Sequence, residues 1–315
     1  MEIESSMAAV VITGVSSGIG YDAADHLIDK GYFVFGSVRD DGALARLESI
    51  FPARSFKALL FDVTDKTAIA GAREYVRTAM GGRNLRALIN NAGMAVAGPM
   101  QLLDDDQFRQ QMEVSLFGVR NVTNAFLPLL GANPEVPLDA PRRRAHHPAQ
   151  RPGKIINISS LSGILNTPMN GAYCVAKHAL ESLGEVYRRE LIDFGIDVVS
   201  IRPGPIQSCI WDKNMEAPDT YADTAYATMA VNTKKIIAQA QRDALPAAVV
   251  SKLIREIIEA RRTKCAYVVH KNKWLPVLLA NYLPARLVDW LIWRTVNAPL
   301  TGGCPSERPR SLDHV

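Results

Sequence analysis

The chain has 315 residues, is 48% hydrophobic and carries 36 Lys and Arg against 32 Asp and Glu, for a net charge of +4. That composition suits a globular protein with a sizeable core, and the slight basic excess gives no electrostatic basis for nucleic-acid binding. Cys174, Cys209, Cys265 and Cys304 lie far apart with no C-x-x-C pair and no His cluster at ligand spacing, which argues against disulfides and structural zinc.

The polar, acidic start MEIESS is unlike a secretory signal, so a cytoplasmic setting is expected. Short β-branched runs then alternate with longer helical patterns, as in parallel strands joined by crossover helices. Strands are predicted at Ala8 to Thr13, Tyr32 to Val38, Phe56 to Phe61, Ala87 to Asn90, Lys154 to Ser159, Ile196 to Ile201 and Cys265 to Val269. Helices are predicted to start near Ile19, Gly42, Asp65, Asp104 and Ala172, several with acidic residues in the first turn. The expected fold is α/β, a Rossmann-type doubly wound sheet of seven parallel strands. It forms one domain over residues 1–272, followed by a helical extension over 273–315.

Two segments break the alternation. Residues 131–153, GANPEVPLDAPRRRAHHPAQRPG, are rich in Pro and Arg without apolar period and read as a surface loop insertion. The loop feeds the amino end of the fifth strand, whereas ligands in such sheets bind beyond the carboxyl ends, so His146 and His147 are poor catalytic candidates. Lys273 to Val296 carries large apolar groups at helical spacing but is broken by Pro276, Pro284, Arg286 and Asp289, too often for a transmembrane helix. Two readings stand for it: a helical pair packed over a substrate pocket, or an amphipathic surface making peripheral membrane contact.

Between the first strand and first helix lies TGVSSGIG, where Gly14, Gly18 and Gly20 permit a tight turn. Ser16, Ser17 and Ile19 complete a backbone cradle for a pyrophosphate at the helix start. Arg39, at the end of the second strand, argues for NADP ahead of NAD, although Asp40 and Asp41 beside it could weaken a phosphate site. Asp62, followed by Val63, ends the third strand within reach of an adenine edge, or else belongs to the N-cap of the next helix. The run ALINNAG ends the fourth strand and places Asn90, Ala92 and Gly93 against a ribose.

Ser160 stands at the tip of the fifth strand, and Tyr173 and Lys177 follow on one helix face. A lone Y-x-x-x-K would be read as surface cover. Beside the glycine turn, the Lys ammonium instead favours the Tyr anion and lowers the phenol pKa, so that Tyr173 could act as general acid or base while Ser160 holds a carbonyl or carbinol oxygen. Lys177 could also hydrogen-bond the nicotinamide ribose.

Taken in order, TGVSSGIG, NNAG, NISS, YCVAK and RPG resemble the short-chain dehydrogenase/reductase family over about residues 7 to 210. The resemblance implies NAD(P)-dependent alcohol/carbonyl oxidoreduction with Ser160, Tyr173 and Lys177 as the catalytic set, and Pro203, Gly204 and Ile206 lining the nicotinamide. It implies a homo-oligomer through the helices starting near Asp104 and Ala172. Through VITGVSSGIG, Arg39 and FLPLL the chain is most similar to members acting on steroids, retinoids and other lipophilic alcohols. Two positions depart from the family. Ser115 replaces an Asn that supports a water in the proton relay, and Ser208 replaces a Thr that meets the nicotinamide amide. Met94 to Met100, Leu161 to Gly171 and the chain beyond Ile210 are the expected substrate walls, mainly apolar. The alternative class is a non-enzymatic NADP-binding sensor or interaction protein on the same fold.

Overall fold

The computed structural model describes residues 3–4, 6–132, 151–207, 220–272 and 274–297. Seven strands form one parallel sheet in the order β3-β2-β1-β4-β5-β6-β7. They are β1 (Ala9–Ile12), β2 (Phe33–Val38), β3 (Phe56–Leu60), β4 (Ala87–Asn90), β5 (Lys154–Ile158), β6 (Asp197–Pro203) and β7 (Ala266–Val269). Every predicted strand is present. β6 runs two residues past Ile201 because its pairing with β7 continues to Pro203 opposite Val269.

The strands at the centre are buried on both faces, which is why they read as unbroken apolar runs. Alternate side chains of β1 enter different cores. Val10 and Ile12 face α1 (Gly18–Asp29), α2 (Asp41–Ile50) and α8 (Ala247–Glu259). Ala9 and Val11 face α3 (Lys66–Met80), α5 (Gly118–Leu130) and α6 (Gly171–Glu190). Between these come α4 (Asp105–Met112) and α7 (Ala227–Arg242), and α9 (Trp274–Asn281) and α10 (Ala285–Val296) follow β7.

The helix expected from Asp104 is interrupted. After α4, capped by Asp104, residues Glu113–Phe117 form a π turn before α5 begins. Such a turn fits one extra residue into the helix, and Ser115 sits in its middle. The ends of the 131–153 insertion lie at the amino edge of the sheet as expected: Gly153 N donates to Leu130 O, and Asn84 Nδ2 donates to Arg151 O. Its residues 133–150, His146 and His147 included, lie outside the described residues.

One buried cation ties the layers together. Lys154 Nζ at the start of β5 donates to Ile257 O at 2.7 Å and Ala260 O at 2.5 Å, at the end of α8. A cation suits the carbonyl end of a helix. Burial holds its pKa below the ordinary lysine value, and Asp197 at 3.8 Å opposes that shift. Lys154→Met keeps the length of the side chain but strands the carbonyls. It should lower unfolding stability by about 2 kcal/mol, read from urea denaturation.

Candidate active site

A cavity of about 1400 Å³ opens along the carboxyl ends of the strands, where the order reverses between β1 and β4 and ligands of such sheets bind. The turn from β1 into α1 forms one end. Gly14 and Gly18 hold φ of 71° and 57°, the left-handed region that side chains avoid. Gly20 is buried under the turn, and a Cβ there would collide with Gly14 O and Asn91 Nδ2. Asn91 locks the arrangement: its Nδ2 donates to Thr13 O and Gly14 O at 2.9 Å each, while Thr13 Oγ1 accepts from the amides of Asn91 and Ala92.

The start of α1 is electrostatically open. Ser17 at its N-cap makes no side-chain capping bond, and its first turn has no acidic residue, unlike α2 and α4. Backbone donors and the positive end of a helix therefore face the cavity, an arrangement that suits a pyrophosphate. Gly14, Ser16, Ser17, Gly18 and Ile19 all line it, whereas Gly20 acts beneath them through packing.

Arg39 lies exposed at the cavity rim. The adjacent Asp40 is occupied: its Oδ1 accepts from Ala43 N at 2.8 Å and caps α2. Arg46 from that helix donates to Ser16 O at 2.7 Å, bringing a second cation to the glycine turn. Sequence reading missed Arg46, which bears no motif. Asp62 and Val63 line the cavity, and Asp62 Oδ1 accepts from Thr64 N and Thr64 Oγ1. The helix-capping alternative falls to Asp65, which accepts from Thr67 N and Ala68 N.

Asn90 does not line the cavity. Its amide is buried and donates to Asn157 Oδ1 and Thr123 Oγ1, joining β4 to β5 and α5, while Asn91, Ala92 and Gly93 reach the cavity. The strand alternation decides this, since neighbouring residues point to opposite sides. Pro203, Gly204 and Ile206 line the cavity beyond β6, and Ser208 lies outside the described residues.

Ser160, Tyr173 and Lys177 converge in the cavity. The Ser160 hydroxyl hydrogen-bonds the Tyr173 phenol and accepts from Ser162 N. Lys177 Nζ donates to Ile158 O at 2.8 Å and lies 5.6 Å from the Tyr173 ring centroid. Taken together, the protein's own groups raise the phenol pKa. Burial pushes Tyr173 up to about 12 against the opposing effect of the Ser160 bond. Burial also pulls Lys177 down to about 8, with Glu181 opposing. Desolvation thus sets the direction, and the effect that opposes it comes from the Ser160 hydroxyl, a reversal of the sequence expectation.

Ser115 is buried and does not line the cavity. A methyl group added at Gly93 would lie 3.9 Å from Lys177 Nζ and 4.0 Å from Ser115 Oγ, so the hydroxyl and the lysine both border the space beside Gly93. Fully buried Gln111 supports it. Its Nε2 donates to Ser115 Oγ at 2.7 Å and to Met94 O, and its Oε1 accepts from Val96 N. The only sequence signal for Gln111 is its position one helical turn before Ser115.

This geometry agrees with the comparisons. A short chain dehydrogenase family model matches residues 8–219. The NADPH-dependent 3-dehydrocapnine reductase of Ornithobacterium rhinotracheale is 35% identical over 91% of this chain and 97% of its own. The chain belongs to the short-chain dehydrogenase/reductase family. Estradiol 17-beta-dehydrogenase 2 of Mus musculus is 30% identical over 98% of this chain and 78% of its own. A family structure from Burkholderia phymatum in complex with NAD matches the fold with a TM-score of 0.70, at 23% identity, over 95% of this chain and 99% of that one. The cofactor class of this oxidoreductase family is NAD(P), and the glycine turn fits its pyrophosphate.

Gly20→Ala tests that fit. The added methyl should displace the turn and raise the Kd for NADPH at least tenfold by fluorescence titration, with the far-UV circular dichroism unchanged.

Proposed function

We propose that the protein is an NADP-preferring alcohol dehydrogenase/carbonyl reductase that interconverts a secondary alcohol and a ketone on a bulky, lipophilic body, steroid- or retinoid-like in type, and favours reduction. The observation that carries this reading is the joint placement of Ser160, Tyr173 and Lys177 in one cavity with the glycine turn. The rest of the cavity wall is mainly apolar, with Met94, Leu161, Met169, Ile237, Leu279 and Ile292 along it. Such a wall selects by shape and desolvation and leaves one polar centre to orient the reacting oxygen. The names of the two relatives, a 3-dehydro compound reductase and an estradiol dehydrogenase, support a ketone or secondary alcohol on an apolar frame.

NADPH, when bound, supplies the hydride that reaches the carbonyl carbon. The Ser160 hydroxyl donates to the carbonyl oxygen and holds it. Tyr173 gives its phenolic proton to the same oxygen as the alcohol forms. Lys177 bears the positive charge that stabilises the phenolate left behind, and its N–H donors beyond the Ile158 bond hold the ribose hydroxyls. With a phenol pushed up to about 12 and an ammonium at about 8, the site is protonated at neutral pH. That state suits the acid half of the reaction, hence reduction. Ser115, held by Gln111, stands where the family Asn would support the proton relay.

Arg39 and Arg46 carry the NADP preference. Arg39 at the cavity rim and Arg46 on Ser16 O supply positive charge for a 2′-phosphate, and the capping role of Asp40 keeps that carboxylate engaged.

Tyr173→Phe should lower kcat for NADPH-dependent ketone reduction at least 10³-fold while leaving the NADPH Kd within threefold. Retained turnover would overturn the assignment. Arg39→Ala should raise KM for NADPH about tenfold and that for NADH less than twofold. For the wild type, kcat/KM for reduction should fall above about pH 8, as Lys177 loses its proton. In Lys177→Arg, whose guanidinium stays charged, that alkaline limb should move upward.

A further inference from the structure

We propose that α9 and α10 are a docking face for an anionic lipid bilayer, and that the substrate cavity opens beneath this face so that apolar substrate enters from the membrane. The first part stands on surface geometry alone. The second rests on the lipophilic-substrate reading above.

Exposed large apolar side chains are concentrated here. Among the described residues, Trp274, Leu275, Leu278, Tyr282, Leu287, Trp290, Leu291 and Trp293 make up eight of the twenty exposed large hydrophobics, within a stretch of twenty residues; Leu275 and Leu291 also reach the cavity, and the other six do not. Trp274 is 74% exposed, Tyr282 75% and Trp293 55%, far beyond what a packed helical lid presents to water. They follow helical order. Trp274, Leu278 and Tyr282 recur every four residues, and Leu287, Trp290 and Trp293 every three, so each helix shows one outward stripe.

The inward side of the same helices faces the cavity. Leu279 of α9 and Val288, Ile292 and Val296 of α10 line it, and Asn232 Nδ2 of α7 donates to Val296 O at 2.9 Å to fix the pair. Each helix is therefore apolar on two sides, with one side closing the cavity and the other uncovered among the described residues.

The chemistry of the outer side fits lipid. Trp and Tyr combine an apolar ring with a polar group and settle at the boundary between headgroups and acyl chains. In sequence, Lys271, Lys273, Arg286 and Arg294 stand in this segment against Asp289 alone; Lys271 is paired with Asp243 at the end of α7 at 3.5 Å, and the remaining cation excess complements anionic headgroups. Arg294 lies 5.3 Å from the Trp290 ring, which places its charge at the edge of the apolar stripe. Neither helix spans a membrane: no helix among the described residues is long and apolar enough. The face would lie in the interface plane.

The test is co-sedimentation with phosphatidylcholine vesicles and with vesicles containing 30% phosphatidylglycerol. It compares wild type with a Trp274→Glu/Trp290→Glu/Trp293→Glu variant, none of which lines the cavity. Wild type should bind the anionic vesicles at least tenfold more tightly than neutral ones, with a blue shift of tryptophan fluorescence. The variant should lose at least tenfold in that affinity while retaining its NADPH Kd. No vesicle binding by wild type would overturn the proposal, as would binding that the variant retains. It would also be overturned by a wild-type oligomer that the variant dissolves, which would make a second copy the occupant. Vesicle affinity is read without turnover, so failure of the reductase reading leaves this result intact. The entry route is read separately: turnover of a membrane-partitioned ketone should fall at least tenfold in the variant, while that of a water-soluble ketone stays within twofold.

Discussion

The amide of Asn91 spans the gap between β1 and β4 and holds two consecutive carbonyls of the glycine turn. Parallel strands separate at this point because their crossover helices leave for opposite faces of the sheet. The bridge adds to the Thr13 contacts with Ile89, Asn91 and Ala92 in setting the distance of the turn from the fourth strand. Gly20 completes the constraint from below, since only a residue without a Cβ lets Gly14 O and Asn91 approach together. The cavity lining from the open start of α1 to the Arg39 rim is positioned relative to that bridge. Asn90, one residue earlier, does the corresponding work inside the sheet by joining β4 to β5 through Asn157. One dipeptide thus fastens the site on one side and the core on the other.

Burial, rather than the nearest charge, governs the protonation of Tyr173 and Lys177. Tyr173 and Lys177 are 6% and 5% exposed, and each is pushed toward its neutral form. The enclosure that strengthens the Ser160 hydrogen bond therefore also keeps the phenol protonated.

Much of this was legible in the sequence. The strands could be placed because both faces of the sheet are buried and β-branched runs have no other stable use at that length. The glycine turn, Ser160, Tyr173 and Lys177 could be placed because each follows a strand end at a fixed offset. What escaped was three-dimensional coincidence. Arg46 reaches Ser16 from another helix, Gln111 supports Ser115 one helical turn on, a spacing that many polar pairs share without meaning, and Asn90 turns inward where its motif suggested a ligand contact. The direction of the pKa shifts escaped because spacing reports that a lysine is near but not how little water surrounds it. Of the two readings of the C-terminal helices, the packed one matches the side that lines the cavity, while the exposed apolar stripe on the other side is where the docking proposal starts.

The π turn at Glu113–Phe117 also sets the angular phase of a long helix. One inserted residue rotates everything after it by about 100° about the axis. Gln111 and Ser115 thereby turn toward the Met94 and Gly93 loop, while Val119, Val122 and Phe126 remain aimed at the sheet. The two halves of the helix consequently have independent buried faces, coupled through a single misfit. Removing one residue from the turn would restore an ordinary pitch and force a choice: either the wall behind Lys177 or the core under β4 would lose its facing side chains.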